Sequence, residues 1–199
     1  VFIVGNARSG TTLLYQWLAS TGQFAYPSNI ISRFYNAPYI GAMIHKAFID
    51  YDKFGEILGE ESITFKSKLG KTKSAVSPHE FWYFWRRFFN FGEIQKLSDR
   101  ELAKVDSISF LKELAALEGA FEKPLLMKGM ILNWNLDYLL KLIPNANFVH
   151  IKREPLYNMH SLFNARLKYF GDAKKWYSFK PPEYKWLKSK NVYQQLAGQ

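Results

Sequence analysis

Residues Val1–Leu14 read VFIVGNARSGTTLL. Val1 to Val4 is a continuous apolar run, β-branched and aromatic, as in a strand buried within a parallel sheet. Gly5 to Gly10 reads as a turn. Thr11 to Thr21 reads as a helix, with Leu13, Leu14, Trp17 and Leu18 on one face and Gly22 as its stop. Strand, glycine-bounded turn and helix together form an anion site. The N–H groups of the turn converge, and the helix N-terminus adds roughly half a positive charge.

Gly5 and Gly10 have the spacing of the nucleotide-triphosphatase loop, G-x-x-x-x-G-K-[ST], but Thr11 stands where the lysine belongs. The cation lies inside the turn instead, at Arg8. Two later apolar strands end in Lys128 and in Lys152-Arg153, and neither carries an aspartate suited to Mg²⁺. A nucleotide kinase or NTPase with a degenerate loop is the alternative enzyme reading, and it lacks its lysine and its metal carboxylate together.

Working outward, residues 23–75 are irregular, with lysines clustered from Lys66 to Lys73. Ser77-Pro78-His79-Glu80 reads as a helix start, with Ser77 as cap, Pro78 at the first position and Glu80 closing a capping box. The following FWYFWRRFF is apolar nearly all round, which predicts a buried helix. Ser98 and Glu101 repeat the box and open a helix to about Glu118. Pro124–Lys128 and Asn147–Lys152 read as strands, Leu136–Ile143 and Pro155–Phe170 as helices. The order implies an α/β fold: a central, mostly parallel sheet flanked by helices, with ligands at the carboxyl ends of its strands. The whole of 1–199 is expected to form one domain, with a helical and loop insert at about 23–122.

The net charge is +10, which favours an anionic partner. A basic nucleic-acid-binding domain is the non-enzymatic alternative, but the cations are dispersed rather than gathered in a stripe, and nucleic acid is not the expected partner. The chain has no cysteine, which excludes disulfides, thiolate metal sites and cysteine nucleophiles. No apolar run is long enough to span a bilayer, and no signal peptide is visible. A cytoplasmic location is the expectation. Both ends read as trimmed, so a leader, anchor or C-terminal segment could lie outside the chain.

Arg8-Ser9-Gly10-Thr11-Thr12 closely resembles the 5′-phosphosulfate loop of the sulfotransferases, whose donor is 3′-phosphoadenosine 5′-phosphosulfate (PAPS). The resemblance implies a P-loop-like sulfotransferase fold and PAPS as cofactor, with no metal required. A sulfuryl group carries less charge than a terminal phosphoryl group, so a guanidinium and two hydroxyls suit it. A second segment, FVHIKREPLYNMHSLFNAR, resembles the family's 3′-phosphate element. Arg153 stands at a strand end, Ser161 eight residues on, and Arg166 five further on, as in the tyrosylprotein sulfotransferase branch. In the same branch a catalytic lysine occupies the place of Lys128. The expected final strand and closing cofactor loop are missing from the chain.

The resemblance fails at the general base. The position of the branch's catalytic glutamate holds Asn29, and the place of the cytosolic members' histidine holds Met130. His79 ranks first as a replacement because neutral imidazole suits proton transfer near pH 7. Glu80 ranks second, since a capping box would explain it without catalysis, and His45 third. His150 and His160 read as packing residues or neighbours of the cofactor, and Trp134 as core or a neighbour of the adenine or acceptor. Carbohydrate, lipid, peptide and small phenolic acceptors all remain open.

Overall fold

The fold is described from a computed structural model, which covers residues 1–58 and 63–199. Strand β1 (Phe2–Gly5) lies between β4 (Met127–Lys128) and β5 (Phe148–Ile151), and both neighbours run parallel to it. Alternation along β1 sends Phe2 and Ile3 to opposite faces. Phe2 joins a core with Met127, Phe110, Leu114 and the aromatic helix α3 (Trp82–Phe88). Ile3 packs with Leu126, Tyr26, and Tyr15 and Ala19 of α1 (Thr11–Ser20). The α/β arrangement expected from the strand order, a parallel sheet flanked by helices, is therefore present. β1 is fully buried, whereas β5 leaves Val149 and His150 exposed, so the sheet is open on its β5 side.

Between α1 and α3 run α2 (Pro38–Tyr51) and a two-stranded antiparallel ribbon, β2 (Ser67–Lys68) and β3 (Lys71–Thr72). The helix expected from Ser98 is two helices. The Ser98–Glu101 capping box is formed, but it starts only α4 (Asp99–Leu102). Asp106 then caps α5 (Ser107–Phe121) by accepting from Ser109 N–H. Beyond β4 come α6 (Leu136–Leu142), β5, and α7 (Pro155–Phe170), which Gly171 ends in the left-handed region as expected. Two short helices, α8 (Tyr184–Lys188) and α9 (Val192–Ala197), pack against the body, with α9 on α7. Among the described residues no helix is long and apolar enough to cross a membrane.

The Ser77 capping box does not form. Residues 77–79 are held extended against 27–29: Asn29 N–H donates to Ser77 C=O at 3.0 Å and His79 N–H to Pro27 C=O at 2.7 Å. Helix α3 therefore starts four residues later than expected from Pro78, at Trp82, behind Phe81 in the left-handed region at φ 56°. Tertiary pairing has overridden a local capping signal.

Candidate active site

The turn after β1 is shaped by glycine where nothing else fits. Gly5 has φ 139°, and a Cβ there would lie 2.7 Å from the Ile151 carbonyl oxygen. Gly10, at φ 107°, opens α1. Arg8 adopts φ 67°, a conformation that costs a non-glycine residue and that persists only when its surroundings hold it. They do. Asn133 brackets Gly5, donating to its C=O at 2.8 Å and accepting from its N–H at 3.4 Å. Asn158 donates to the Ala7 carbonyl at 2.9 Å, and Arg153 to the Arg8 carbonyl at 3.1 Å.

Three of the residues singled out from sequence meet at one end of this turn. Arg8 Nε donates to Ser161 Oγ at 3.1 Å, although 153 residues separate them, while Arg153 reaches the Arg8 backbone. Neither arginine has a carboxylate partner among the described residues. Ser9 is buried, and its Oγ has no hydrogen-bond partner among the described residues. Two guanidiniums without carboxylate partners and a hydroxyl without a partner, at the N-terminus of α1, suit a ligand with more than one anionic group.

At the other end, Lys128 is buried at the carboxyl end of β4. Its Nζ lies 2.8 Å from Thr12 Oγ1 and 2.5 Å from Glu80 Oε1. The second carboxylate oxygen of Glu80 accepts from Trp82 Nε1 at 2.5 Å. Glu80 is thus held by two donors and presents one remaining lone pair on each oxygen. Thr11 turns away, donating to Met130 Sδ at 3.2 Å. The carboxyl-end rule for α/β sheets holds for both clusters.

A comparison with known families bears on the whole chain. The model described as the sulfotransferase family matches residues 1–197. The chain belongs to the sulfotransferase family. Neither a curated protein nor a solved structure matches it significantly.

The structure brings Arg8, Ser161 and Arg153 together at one end of the loop, and Lys128 and Thr12 together at the other, but Arg166 is not among them. Five residues after Ser161 is about 140° round a helix, which is a different face. Arg166 is fully buried there, donating to Ala173 C=O, Gln195 Oε1 and Gln199 Oε1, with Trp176 over its guanidinium at 5.0 Å. Burial lowers its pKa to about 10. It ties α9 to α7 through its two terminal nitrogens, while its Nε has no partner among the described residues.

The two leading base candidates sit in different surroundings. His79 Nδ1 accepts from Phe81 N–H at 2.9 Å, so the free nitrogen, Nε2, carries the proton. Burial, reinforced by Arg33, lowers the His79 pKa against an opposing pull from Glu80. Glu80, released from capping, sits on Lys128. His45 lies at the far end of α1, beside an apolar pocket of about 480 Å³, with its ring edge-on to Tyr26 and Phe121. His150 is exposed on β5, and His160 contacts Asn164 on the outside of α7. Trp134 packs against the main core.

Several members of the site carried no usable signal. Asn133 and Asn158 act through single amides. Gly70, at the tip of the β2–β3 ribbon, reaches the site from far along the chain: a Cβ there would lie 3.1 Å from Glu80 Oε1 and 3.7 Å from Thr12 Oγ1. Asn29, at the family's glutamate position, instead supports that ribbon, donating to Thr72 Oγ1 at 3.1 Å and Ser74 C=O at 2.7 Å.

Proposed function

We propose that this sulfotransferase moves a sulfuryl group from PAPS to a hydroxyl or amine acceptor by in-line displacement, with Glu80 as general base. The observation that carries the reading is the Glu80–Lys128–Thr12 cluster at one end of a loop whose other end joins Arg8, Ser161 and Arg153. The residues fit the donor. The orphaned Ser9 hydroxyl and the unpaired Arg8 and Arg153 supply the donors that a bisphosphorylated nucleotide requires. Bound PAPS supplies the activated sulfuryl group.

The chain's own residues then divide the work. Arg8, Ser9, Gly10 and Thr12 hold the 5′ side, with Thr11 contributing only its backbone N–H because its hydroxyl is turned to Met130, and Arg153 and Ser161 hold the 3′-phosphate. Glu80 Oε1 accepts the proton of the acceptor on its free lone pair. Lys128 Nζ, within reach of both Thr12 and Glu80, moves from the carboxylate to the charge that grows on the leaving oxygen. Trp82 fixes the carboxylate plane throughout.

Thermal unfolding tests the donor. Adenosine 3′,5′-bisphosphate should raise the melting temperature, and ATP should do so less, with or without Mg²⁺. Equal, Mg²⁺-dependent stabilisation by ATP would overturn the reading in favour of a nucleotide kinase. Transfer from labelled PAPS to pooled acceptors tests the reaction itself.

A further inference from the structure

Residues Lys66–Lys73 read KSKLGKTK. In the β2–β3 ribbon Lys68 stands opposite Lys71, and Ser67 opposite Thr72. The Thr72 side faces the body of the protein: its hydroxyl donates to Pro78 C=O at 2.8 Å and accepts from Asn29. Alternation puts Lys68 and Lys71 together on the other face, and Lys66 and Lys73 adjoin the two strands at their far ends. All four are exposed, and none has an acidic partner among the described residues. Like charges placed directly opposite destabilise a ribbon. The Lys68–Lys71 pair bears that cost with no compensating carboxylate from the described chain.

The ribbon is also fixed in place over the chemistry. Its Gly70 tip rests on Glu80 and Thr12, and Tyr177 donates to the Leu69 carbonyl at 3.0 Å. The ribbon tip therefore lies beside the proposed base, and Lys68 and Lys71 stand immediately before and after that tip in the chain.

We propose that this face binds the acceptor, and that the acceptor is an acidic oligosaccharide whose carboxylates or sulfates lie close to the hydroxyl being modified. The proposal rests on the sulfotransferase reading above and names the acceptor class for the same site. Lysines two apart on a strand are roughly 7 Å apart, and opposite ones about 5 Å. The four ammoniums form a patch, on flexible stems that impose no planar geometry. A sugar acid offers scattered anionic oxygens and free hydroxyls to such a patch. A peptide acceptor would draw on main-chain pairing with a sheet edge, and strands of two residues offer almost none.

The test uses an oligosaccharide with one uronic acid per disaccharide, its carboxyl-reduced counterpart, and an acidic serine- and tyrosine-bearing peptide. Binding of each is measured by calorimetry in the presence of adenosine 3′,5′-bisphosphate, and sulfation is followed with labelled PAPS. The double variant Lys68→Glu, Lys71→Glu is compared with the wild type. The acidic oligosaccharide should bind the wild type at least about tenfold more tightly than its reduced form, and the variant should lose that preference. Where it is sulfated, KM should rise in the variant with kcat nearly unchanged. Stabilisation by the bisphosphate should be equal in both proteins. If the bisphosphate stabilises both while the reduced sugar binds as well as the acidic one, or only the peptide binds through these lysines, the acceptor proposal is wrong and the donor reading stands. If the bisphosphate stabilises neither, the donor reading falls and takes this proposal with it.

Discussion

Glu80 and Lys128 meet at 2.5 Å although they approach from opposite sides of the site, one from the approach to α3 and the other from the end of β4. Both are largely shielded from water, with side-chain exposures of 20% and 3%. Low local dielectric makes the contact stronger than a surface pair and makes each partner costly to remove. Glu80→Gln keeps the shape and the Trp82 contact but cannot take a proton. Its kcat should fall about a hundred- to ten-thousand-fold, with binding of adenosine 3′,5′-bisphosphate preserved. Retention of near wild-type kcat would move the base elsewhere, with His79 next in line.

The two phosphate subsites should separate by mutation. At one hundred times its dissociation constant, a ligand of the folded state adds about 2.7 kcal/mol, or roughly 5–10 °C in a chain of this size. Arg153→Ala should lose most of the shift given by adenosine 3′,5′-bisphosphate, and little of the smaller shift given by adenosine 5′-phosphate. Differential scanning fluorimetry reads both. An unchanged bisphosphate shift would remove Arg153 from the 3′-phosphate site.

The anion loop was legible from sequence because its information is local. Strand, glycine spacing, arginine and two threonines lie within residues 1–12, and the fold keeps them together. Arg153 and Ser161 were legible for the same reason, being a strand end and one helix face. Glu80 was misread because Ser77-x-x-Glu80 and Ser98-x-x-Glu101 are the same local pattern. The second forms its box on the exposed surface, while the first is captured by pairing with residues 27–29, which no local rule contains. The ribbon tip at Gly70 was invisible for that reason too. Its contact with Glu80 depends on where two loops land.

Arg166 should behave as a structural residue. Arg166→Met removes charge-assisted bonds to Gln195, Gln199 and Ala173 while keeping the apolar stem. A loss of about 2–4 kcal/mol is expected, read as a lowered melting temperature in the absence of ligand. The shift produced by adenosine 3′,5′-bisphosphate should survive. Loss of that shift in a folded variant would return Arg166 to the phosphate site that the tyrosylprotein branch assigns it.

His45 should set an acid limit to stability. It is 1% exposed, neither ring nitrogen has a partner among the described residues, and burial lowers its pKa to about 4 from 6.5. The folded state therefore resists protonation that the unfolded chain accepts. The sign follows: stability from this group is complete above the unfolded pKa and is lost as pH falls from about 6.5 towards 4. The lowering corresponds to roughly 3 kcal/mol at the acid end. His79, also lowered by burial, acts in the same direction. His45→Phe keeps an aromatic ring between Tyr26 and Phe121 and removes the titration. Urea midpoints measured from pH 7 to pH 4 should fall steeply in the wild type and less steeply in the variant. Parallel curves would mean that acid sensitivity resides in other groups, and that His45 finds a polar partner in solution.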